Sequence, residues 1–317
     1  MKIVFIGSGD IGVPTLAALL ASARVSVAGV VTQPDRPAGR HLQLTPSPVK
    51  RAAAGHGVEI FQPENINTPA ALTVIGGWRP DLAVVCAYGQ ILRQPLLELP
   101  PRGCLNLHAS LLPKYRGSSC LQAAIRNGDP VSGVTVMWMN AGLDTGDILL
   151  QRELTVSADD TAGTLHDRLA RLAPSALTAA LRLMVSGQAP RLPQDHAAAS
   201  YAGKLKKADG HVNWRQSPVI IERHIRAMTP WPSAFAWLPA DGDRQLLKIH
   251  RATIAADHAA VADREPGTVL AVTADGVLVA ADGGALWLRE AQLAGRKRMS
   301  AAELARGGAL TVGGRLC

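Results

Sequence analysis

The sequence predicts an α/β protein in which a doubly wound, mostly parallel sheet is followed by a small β-barrel. Through the first 150 residues, apolar runs that suit strands alternate with helical segments, as in a parallel sheet. Residues 187–200 are then polar and contain prolines, and short strand-like runs separated by Asp-Gly and Gly-Gly turns follow. The predicted domains are residues 1–186 and 201–317, with residues 187–200 as the linker.

Five apolar runs predict the parallel strands of the first domain. They lack polar alternation, so we expect helices on both faces of the sheet. Segments of helical composition lie between them and predict right-handed crossovers. The predicted strands are residues 2–6, 25–31, 58–60, 82–86 and 104–107, and the predicted helices are residues 14–21, 49–54 and 69–76.

The remaining elements complete the two domains. Residues 133–139 and 148–155 suit two further strands, and residues 161–185 form one long amphipathic helix. In the second domain a helix is predicted over residues 219–228. The predicted strands there are residues 234–238, 246–254, 267–271, 276–280 and 285–292. Five short strands after a helix are typical of an OB-like barrel.

Composition excludes several classes of protein. Hydrophobic residues make up 47% of the 317 residues and charged residues 18%, which does not fit a disordered chain. The N-terminal apolar run ends at once in a Ser-Gly-Asp turn, and no run is long enough to cross a membrane. The cysteines lack CxxC or zinc-finger spacing, which favours a reduced, metal-free, cytoplasmic protein. A monomer is the default expectation. The cysteines are Cys86, Cys104, Cys120 and Cys317.

The chain is basic, with a net charge of +8 and an isoelectric point of about 9.7. Residues 201–317 carry 16 basic and 11 acidic side chains, against 17 and 14 in residues 1–200. A basic second domain suits a polyanionic partner such as nucleic acid. The alternative is an arginine-rich composition without any such partner.

The first candidate site is the glycine pattern of residues 7–12, which follows a predicted strand and opens a helix. With Asp35 it matches the phosphate- and ribose-binding pattern of nicotinamide-binding domains. A tight strand-to-helix turn needs glycines whatever it binds, and Asp35 lies in a Pro-Asp-Arg-Pro turn rather than at a strand end. A dinucleotide site and a structural turn are both open at this point.

The second candidate site follows the strand predicted at residues 104–107. Asn106 and His108 are two residues apart, so on a strand they face the same way. They lie at the carboxyl end of that strand, the edge where open α/β sheets bind ligands. An amide donor beside an imidazole can hold a carbonyl oxygen and move a proton. The alternative is a hydrogen-bonded structural histidine beside a turn asparagine.

The third candidate is Asp144, in a glycine-flanked loop between two predicted strands. It can act as a general base or orient a histidine, whereas nearby Asp147 can as easily satisfy the backbone of the turn. A loop aspartate alone is more often a turn former than a catalyst.

These residues together resemble the signature of folate-dependent formyltransferases. The resemblance rests on Asn106-x-His108, on the SLLPKYRG run that follows, and on the GLDTGD loop that contains Asp144. It is strongest to the members whose acceptor is initiator methionyl-tRNA. Similarity to them continues in order along nearly the whole chain, at residues 32–40, 46–50, 86–92, 201–205, 230–232 and 294–300.

The resemblance implies that 10-formyltetrahydrofolate gives its formyl group to the α-amine of methionine on that tRNA, for translation initiation, without a metal. Asn106, His108 and Asp144 would be the catalytic residues. Asn106 and protonated His108 would stabilise the oxyanion of the tetrahedral intermediate, and Asp144 would set the charge of His108 and help take the amine proton. The residues implied for folate binding are Ser110, Leu111, Leu112, Pro113, Tyr88 and Gly89.

The resemblance also implies tRNA contacts. Solvated surface charges are the alternative interpretation of these basic residues. The residues implied are Arg36, Arg40, Lys204, Lys206, Lys207, Arg296, Lys297 and Arg298.

The chain departs from the family pattern in two places. Residues 41–43 are His-Leu-Gln where the family usually has Gly-Lys-Lys, so we expect weaker or less salt-dependent phosphate contacts there. Residues 118–122 read Ser-Ser-Cys-Leu-Gln where the family often has Ala-Ala-Pro-Ile-Gln.

Three other functions are compatible with parts of the sequence. One is a formyltransferase acting on an amino sugar nucleotide, on glycinamide ribonucleotide or on another small amine. Another is an NAD-dependent oxidoreductase, which rests on the glycine pattern alone. The third is a non-catalytic RNA-binding protein, against which the presence of Asn106, His108 and Asp144 argues.

Overall fold

The computed structural model describes residues 1–38, 42–239, 244–256 and 264–317. The chain divides into two compact units. The first unit comprises Met1–Cys120, Val131–Thr155 and His166–Gly203, and the second comprises Leu121–Pro130, Val156–Leu165 and Lys204–Cys317. Among the helices of the described ranges, none is both long and apolar enough to span a membrane.

The first unit is built on a mostly parallel sheet. Its strands are β1 (Lys2–Gly7), β2 (Ser26–Val31), β5 (Ile60–Phe61), β6 (Leu82–Cys86), β7 (Cys104–His108), β8 (Val131–Trp138) and β9 (Ile148–Thr155), and a separate hairpin is formed by β3 (Arg36–Ala38) and β4 (Gln43–Thr45). The order in the sheet is β5-β2-β1-β6-β7-β8-β9. The first five strands in that order pair in parallel, and β8 and β9 pair antiparallel.

The helices begin at residues with clear N-terminal signals. Ser47 and Thr68 each accept a hydrogen bond from a first-turn backbone N–H, and a proline follows each of them. The helices of the described chain are α1 (Val13–Leu20), α2 (Pro48–Ala53), α3 (Pro69–Gly77), α4 (Gln94–Leu97), α5 (Cys120–Asn127), α6 (Ala162–Val185), α7 (Pro218–Ala227) and α8 (Ala301–Arg306).

The core of the first unit explains why its strands read as continuous apolar runs. All five residues of β6 are buried, as are the last five of β1. Because helices cover both faces of such a sheet, inward and outward side chains alike leave water. One cluster of this core includes Val4, Ile6, Ile75 and Val85.

The second unit contains an antiparallel sheet in the order β10-β11-β14-β13-β12, with β15 paired to β14. Its strands are β10 (Ala234–Pro239), β11 (Arg244–Ile254), β12 (Val269–Thr273), β13 (Gly276–Ala281), β14 (Gly284–Leu293) and β15 (Met299–Ser300). Burial alternates along β10, as in a sheet with one covered face. The predicted fold class is therefore confirmed as a mostly parallel α/β sheet followed by an antiparallel domain consistent with a small barrel.

Several element bounds differ from the prediction. The strand predicted at residues 58–60 is Ile60–Phe61, and the strand predicted at 267–271 begins at Val269 because Gly267 adopts a φ of +91°. The prediction did not include the β3–β4 hairpin or helices α4, α5 and α8. The strands of this hairpin are three residues long and the three helices are four to eight residues long, so none of these elements is long enough for its periodicity to identify it.

Candidate active site at the edge of the parallel sheet

The carboxyl ends of β1 and β6 form the point at which the strand order of the sheet reverses. The backbone N–H groups of Ser8 and Gly9 both donate to the carbonyl of Ala87, at 3.2 and 3.1 Å. A Cβ on Gly7 would come within 2.7 Å of the Cys86 carbonyl oxygen. The glycine pattern therefore has a packing function, because it lets the two loops approach closely.

The carboxylate of Asp35 is already bonded to neighbouring side chains of the protein. It accepts hydrogen bonds from Lys50 Nζ and Gln62 Nε2, each at 2.7 Å. The hydrogen bond from Lys50, followed by that from Gln62, lowers the pKa of Asp35 below its ordinary value. Asp35 thus holds the turn to α2 and its neighbourhood, which favours the structural interpretation over a nicotinamide site.

Asn106 and His108 lie on the last three residues of β7 and project to the same side of that strand. His108 is 7% exposed, and Asn106 is half-buried. The Nε2 of His108 lies 2.9 Å from the carbonyl oxygen of Tyr115. Because a carbonyl only accepts, Nε2 carries a proton and donates it to this bond.

Asp144 faces the other nitrogen of the same imidazole. Its Oδ2 lies 3.6 Å from His108 Nδ1, and the same oxygen accepts a 2.8 Å hydrogen bond from the backbone N–H of Gly117. Asp144 adopts a φ of +52° in its loop. Nearby, a Cβ on Gly146 would come within 1.6 Å of the Trp138 carbonyl oxygen, so the loop can close here only on glycine.

Burial and three neighbouring groups determine the pKa of His108. Burial alone would lower the pKa of His108, but the charge and hydrogen bond of the Cys120 side chain, then Asp144 and the Tyr115 carbonyl, raise it to about 9. The imidazole is therefore a cation near neutral pH. A buried cation beside an asparagine amide can stabilise negative charge that develops on a carbonyl oxygen.

The residues predicted to bind folate form a turn just beyond His108. The carbonyl of Ser110 accepts from Thr135 Oγ1 at 2.6 Å, and that hydroxyl in turn accepts from the backbone N–H of Leu112 at 3.1 Å. Gln151 Nε2 donates to the Leu112 carbonyl at 2.9 Å. Side chains on β8 and β9 thus fix the turn, and Leu111 and Pro113 remain half-buried along it.

Tyr88 and Gly89 occupy the loop after β6. The Tyr88 side chain is 3% exposed and belongs to the apolar core cluster, so its backbone rather than its phenol faces the loop. Burial raises the pKa of the Tyr88 phenol to about 12. Gln33 Nε2 donates to the Tyr88 carbonyl at 3.3 Å, and Gly89 adopts a φ of +91°.

The residues predicted to contact tRNA divide between the units. Arg36 is exposed on β3, whereas Arg40 lies outside the described residues. In the second unit Lys204, Lys206 and Lys207 are exposed, as are the three basic residues of the turn between β14 and β15. That turn contains Arg296, Lys297 and Arg298, and Arg298 forms an ion pair with Glu290. Within the described ranges, no group of three or more potential metal ligands is found.

Sequence reasoning missed several side chains that support this site. Cys120 enters the sequence analysis as one of four cysteines and as a departure from a family pattern, yet its side chain raises the pKa of His108. Thr135 and Gln151 lie on strands whose alternation carried no functional signal. A polar residue in the middle of an apolar strand, such as Thr135 in β8, is the one sequence signal that could have identified them.

Profiles of the formyl transferase family match the chain in two places. The formyl transferase profile covers residues 1–181, and the profile of the formyl transferase C-terminal domain covers residues 204–309. The chain belongs to the formyl transferase family.

Full-length relatives narrow this assignment. A methionyl-tRNA formyltransferase from Methylacidiphilum infernorum is 49% identical over 314 residues, which is 99% of this chain and 97% of that protein. The resemblance to methionyl-tRNA formyltransferases, which the motifs indicated, is confirmed over both domains, and the chain is a formyl-transferring enzyme.

Solved structures agree with this fold. An N-formyltransferase from Helicobacter canadensis, in complex with folinic acid and dTDP-3-aminofucose, has a TM-score of 0.64 at 17% identity and covers 91% of this chain and 98% of its own. HypX from Aquifex aeolicus in complex with tetrahydrofolic acid has a TM-score of 0.61 at 16% identity. The match covers 96% of this chain but 46% of HypX. At these identities the likeness concerns the fold alone.

Proposed function

We propose that this enzyme transfers the formyl group of 10-formyltetrahydrofolate to the α-amino group of methionine on initiator methionyl-tRNA, in the cytoplasm and as a monomer. The observation that carries the proposal is the meeting of Asn106, His108 and Asp144 at one sheet edge, in a chain 49% identical over its length to a methionyl-tRNA formyltransferase.

The neutral methionyl amine attacks the formyl carbon, and a C–N bond forms as the carbonyl oxygen gains negative charge. The Asn106 amide and the His108 imidazolium stabilise that oxygen, and an interaction of this kind is worth about a hundred-fold or more in rate. Asp144 keeps His108 charged and takes part in removing the proton from the attacking nitrogen. When the intermediate collapses, the bond between the formyl carbon and N10 of the folate breaks, and N10 is protonated.

The turn from Ser110 to Pro113 has the features of a folate subsite. Its backbone is fixed by Thr135 and Gln151, and Leu111 and Pro113 offer apolar surface beside His108. A pterin ring, which is flat and has hydrogen-bonding edges, suits a rigid backbone edge flanked by apolar side chains.

The basic residues of the second unit support a polyanionic acceptor. Lys204, Lys206 and Lys207 are exposed within four residues of one another, as suits contacts with phosphates that are read by charge. An amino sugar nucleotide carries far fewer phosphates and gains little from such a surface. The likeness to the N-formyltransferase from Helicobacter canadensis concerns the fold and does not favour that acceptor.

The test is a formyl-transfer assay with 10-formyltetrahydrofolate and a panel of acceptors: methionyl initiator tRNA, methionyl elongator tRNA, free methionine and an amino sugar nucleotide. We expect formylmethionyl-tRNA to form with the initiator tRNA and the small amines to be poor acceptors. Transfer to the sugar nucleotide in preference to tRNA would keep the chemistry and overturn the acceptor. Saturable NADH binding with no formyl transfer would overturn both.

A further inference from the structure

Arg116 is the largest fully buried side chain among the described residues, with 2% of its surface exposed. Its guanidinium donates to an amide oxygen, an imidazole nitrogen and a hydroxyl. Nη2 donates to Gln194 Oε1 at 2.8 Å and to His196 Nδ1 at 3.2 Å, and Nη1 donates to the Tyr201 hydroxyl at 3.3 Å. Burying a guanidinium is costly unless its donors are satisfied, and here Nε, which donates to Gln194 Oε1 at 3.2 Å, and both Nη atoms have partners. The geometry of the guanidinium is therefore fixed by its neighbours.

Gln194 connects Arg116 to the loop that contains Asp144. Its side chain is buried, with 5% of the residue exposed. Its oxygen accepts from Arg116, and its Nε2 donates to the carbonyls of Asp144 at 2.9 Å and Gly146 at 2.7 Å. One amide thus bonds the buried arginine on one side and the backbone of the aspartate loop on the other.

The backbone on either side of Arg116 touches both members of the His108–Asp144 pair. The residue before it, Tyr115, offers the carbonyl that accepts from His108 Nε2, and the residue after it, Gly117, donates to Asp144 Oδ2. Arg116 itself is bonded through its N–H to the Ser200 carbonyl and through its carbonyl to the Ala202 N–H, each at 2.8 Å. At Gly117, with a φ of +103°, a Cβ would lie 2.6 Å from the Ala202 carbonyl oxygen. The segment from Gln194 to Ala202 therefore bonds the backbone between these two groups and, through Gln194, the backbone of the Asp144 loop.

We propose that Arg116 and Gln194 are positioning residues for formyl transfer, which hold the His108 imidazole and the Asp144 carboxylate in register through the turn at residues 115–117 and the loop at residues 144–146. The inference rests on the proposed function for the reaction that it affects. Neither side chain needs to touch substrate, and a displacement of about 1 Å in such a pair costs on the order of a hundred-fold in rate.

A merely structural role, in which the two residues only tie residues 187–203 to the first unit, predicts lower stability and no specific kinetic effect. Substitutions at Gln194 separate the two roles. Gln194→Glu keeps an acceptor for Arg116 but removes the donor to the Asp144 and Gly146 carbonyls. Gln194→Met keeps the volume and removes both functions. Gln188, which is exposed in the same segment, supplies the matched controls Gln188→Glu and Gln188→Met.

The first readout is steady-state formylation by the full chain, with thermal unfolding measured in parallel. We expect both Gln194 variants to lower kcat by about ten- to a hundred-fold while the KM values for folate and tRNA change by about twofold or less. Arg116→Lys retains the charge without the planar fork, and we expect it to recover only part of the loss seen in Arg116→Met. The Gln188 variants keep wild-type kcat.

The second readout does not depend on any substrate. The titration of His108 is followed by NMR of its imidazole nitrogens in wild type and Gln194→Met. The groups that face this imidazole are Asp144, the Cys120 side chain and the Tyr115 carbonyl. If Gln194 holds Asp144 in place, its removal weakens that attraction, and we expect His108 to titrate at a lower pH.

An unchanged titration of His108, with kcat lowered only as far as the folded fraction falls, would overturn the proposal. An equal loss of kcat in the Gln188 variants would also overturn it. If the wild type formylates no tRNA but His108 titrates lower in Gln194→Met, the positioning role stands and the proposed acceptor is wrong.

Discussion

The sheet edge around His108 and the basic surface of the second unit use charge in opposite ways. The imidazole of His108 is buried, is hydrogen-bonded through Nε2, faces the Asp144 carboxylate through Nδ1 and has a pKa raised to about 9. Lys204, Lys206 and Lys207 are exposed to solvent. A charge in a low-dielectric, fixed setting acts strongly on one developing charge, whereas exposed charges are screened by salt and act by number. We therefore expect the rate of the chemical step to depend on where a charge is placed, and the binding of a polyanionic acceptor to depend on how many charges there are.

The largest effect is expected when the charge of Asp144 is removed and the shape of its side chain is kept. Asp144→Asn leaves a side chain that can no longer support the His108 cation or accept a proton. We expect kcat to fall by about a thousand-fold, within the range for loss of acid–base catalysis. Asp147→Asn is the matched control in the same loop, and its kcat is expected to remain within about threefold of wild type. Similar losses in both variants would mean that the loop, rather than the Asp144 carboxylate, matters.

A second test shifts the pKa of His108 and leaves its side chain in place. Cys120 raises the pKa of His108 through its charge and its hydrogen bond. His108 is charged below about pH 9, so the rate of the wild type is expected to fall as pH rises through about 9. In Cys120→Ala we expect this limb to move to lower pH. Cys104→Ala serves as the control, because its buried thiol contacts the Leu96 and Leu97 carbonyls instead. If the rate of Cys120→Ala falls at the same pH as that of the wild type, Cys120 does not set the pKa of His108.

The basic surface of the second unit is tested by changing the number of its exposed charges. In a triple variant with Lys204, Lys206 and Lys207 changed to Gln, we expect the KM for tRNA to rise about tenfold and the dependence of KM on salt to weaken. The kcat and the KM for folate should hold. Arg215→Gln removes an exposed cation outside this cluster and should change little. A triple variant with wild-type salt dependence would show that these lysines are merely solvated.

The smallest expected effect concerns a histidine whose neighbours are exposed. His166 Nε2 lies 3.0 Å from Asp10 and Nδ1 lies 3.0 Å from Asp167. The hydrogen bond that His166 donates to the Asp10 carboxylate outweighs burial and raises the pKa of His166 from 6.5 to about 9. Its stabilisation is therefore complete below about pH 6.5 and lost as pH rises through about 9. Denaturant unfolding of His166→Gln should give a loss of about 1 kcal/mol or less near neutral pH and none well above pH 9. A loss that is constant with pH would point to packing instead.

The sequence predicted the parallel sheet well because strands such as β6 are buried on both faces and so stand out as apolar runs. Asn106, His108 and Asp144 could be singled out because strand ends and glycine-flanked loops signal a site locally. Their catalytic roles and the domain bounds stay predictions.

Other features of the site carry no local sequence signal. Gln194 lies in a polar, proline-containing stretch that predicts a linker, and only the fold reveals that its side chain is buried against the Asp144 loop. The contact between Cys120 and His108 likewise depends on a chain reversal at residues 115–117, whose geometry is set by backbone bonds to residues 200 and 202. Long-range contacts of this kind depend on tertiary structure rather than on periodicity.

The central claim is that Asn106 and His108 act on the formyl oxygen in the transition state. Single-turnover formylation of methionyl-tRNA, at saturating enzyme and 10-formyltetrahydrofolate, measures that step directly. Asn106→Asp keeps the shape of the side chain and replaces its donors by acceptors. We predict that its single-turnover rate falls by about a hundred-fold or more while substrate binding is retained, and that His108→Ala falls at least as far. A single-turnover rate within a few-fold of wild type in Asn106→Asp would contradict the account.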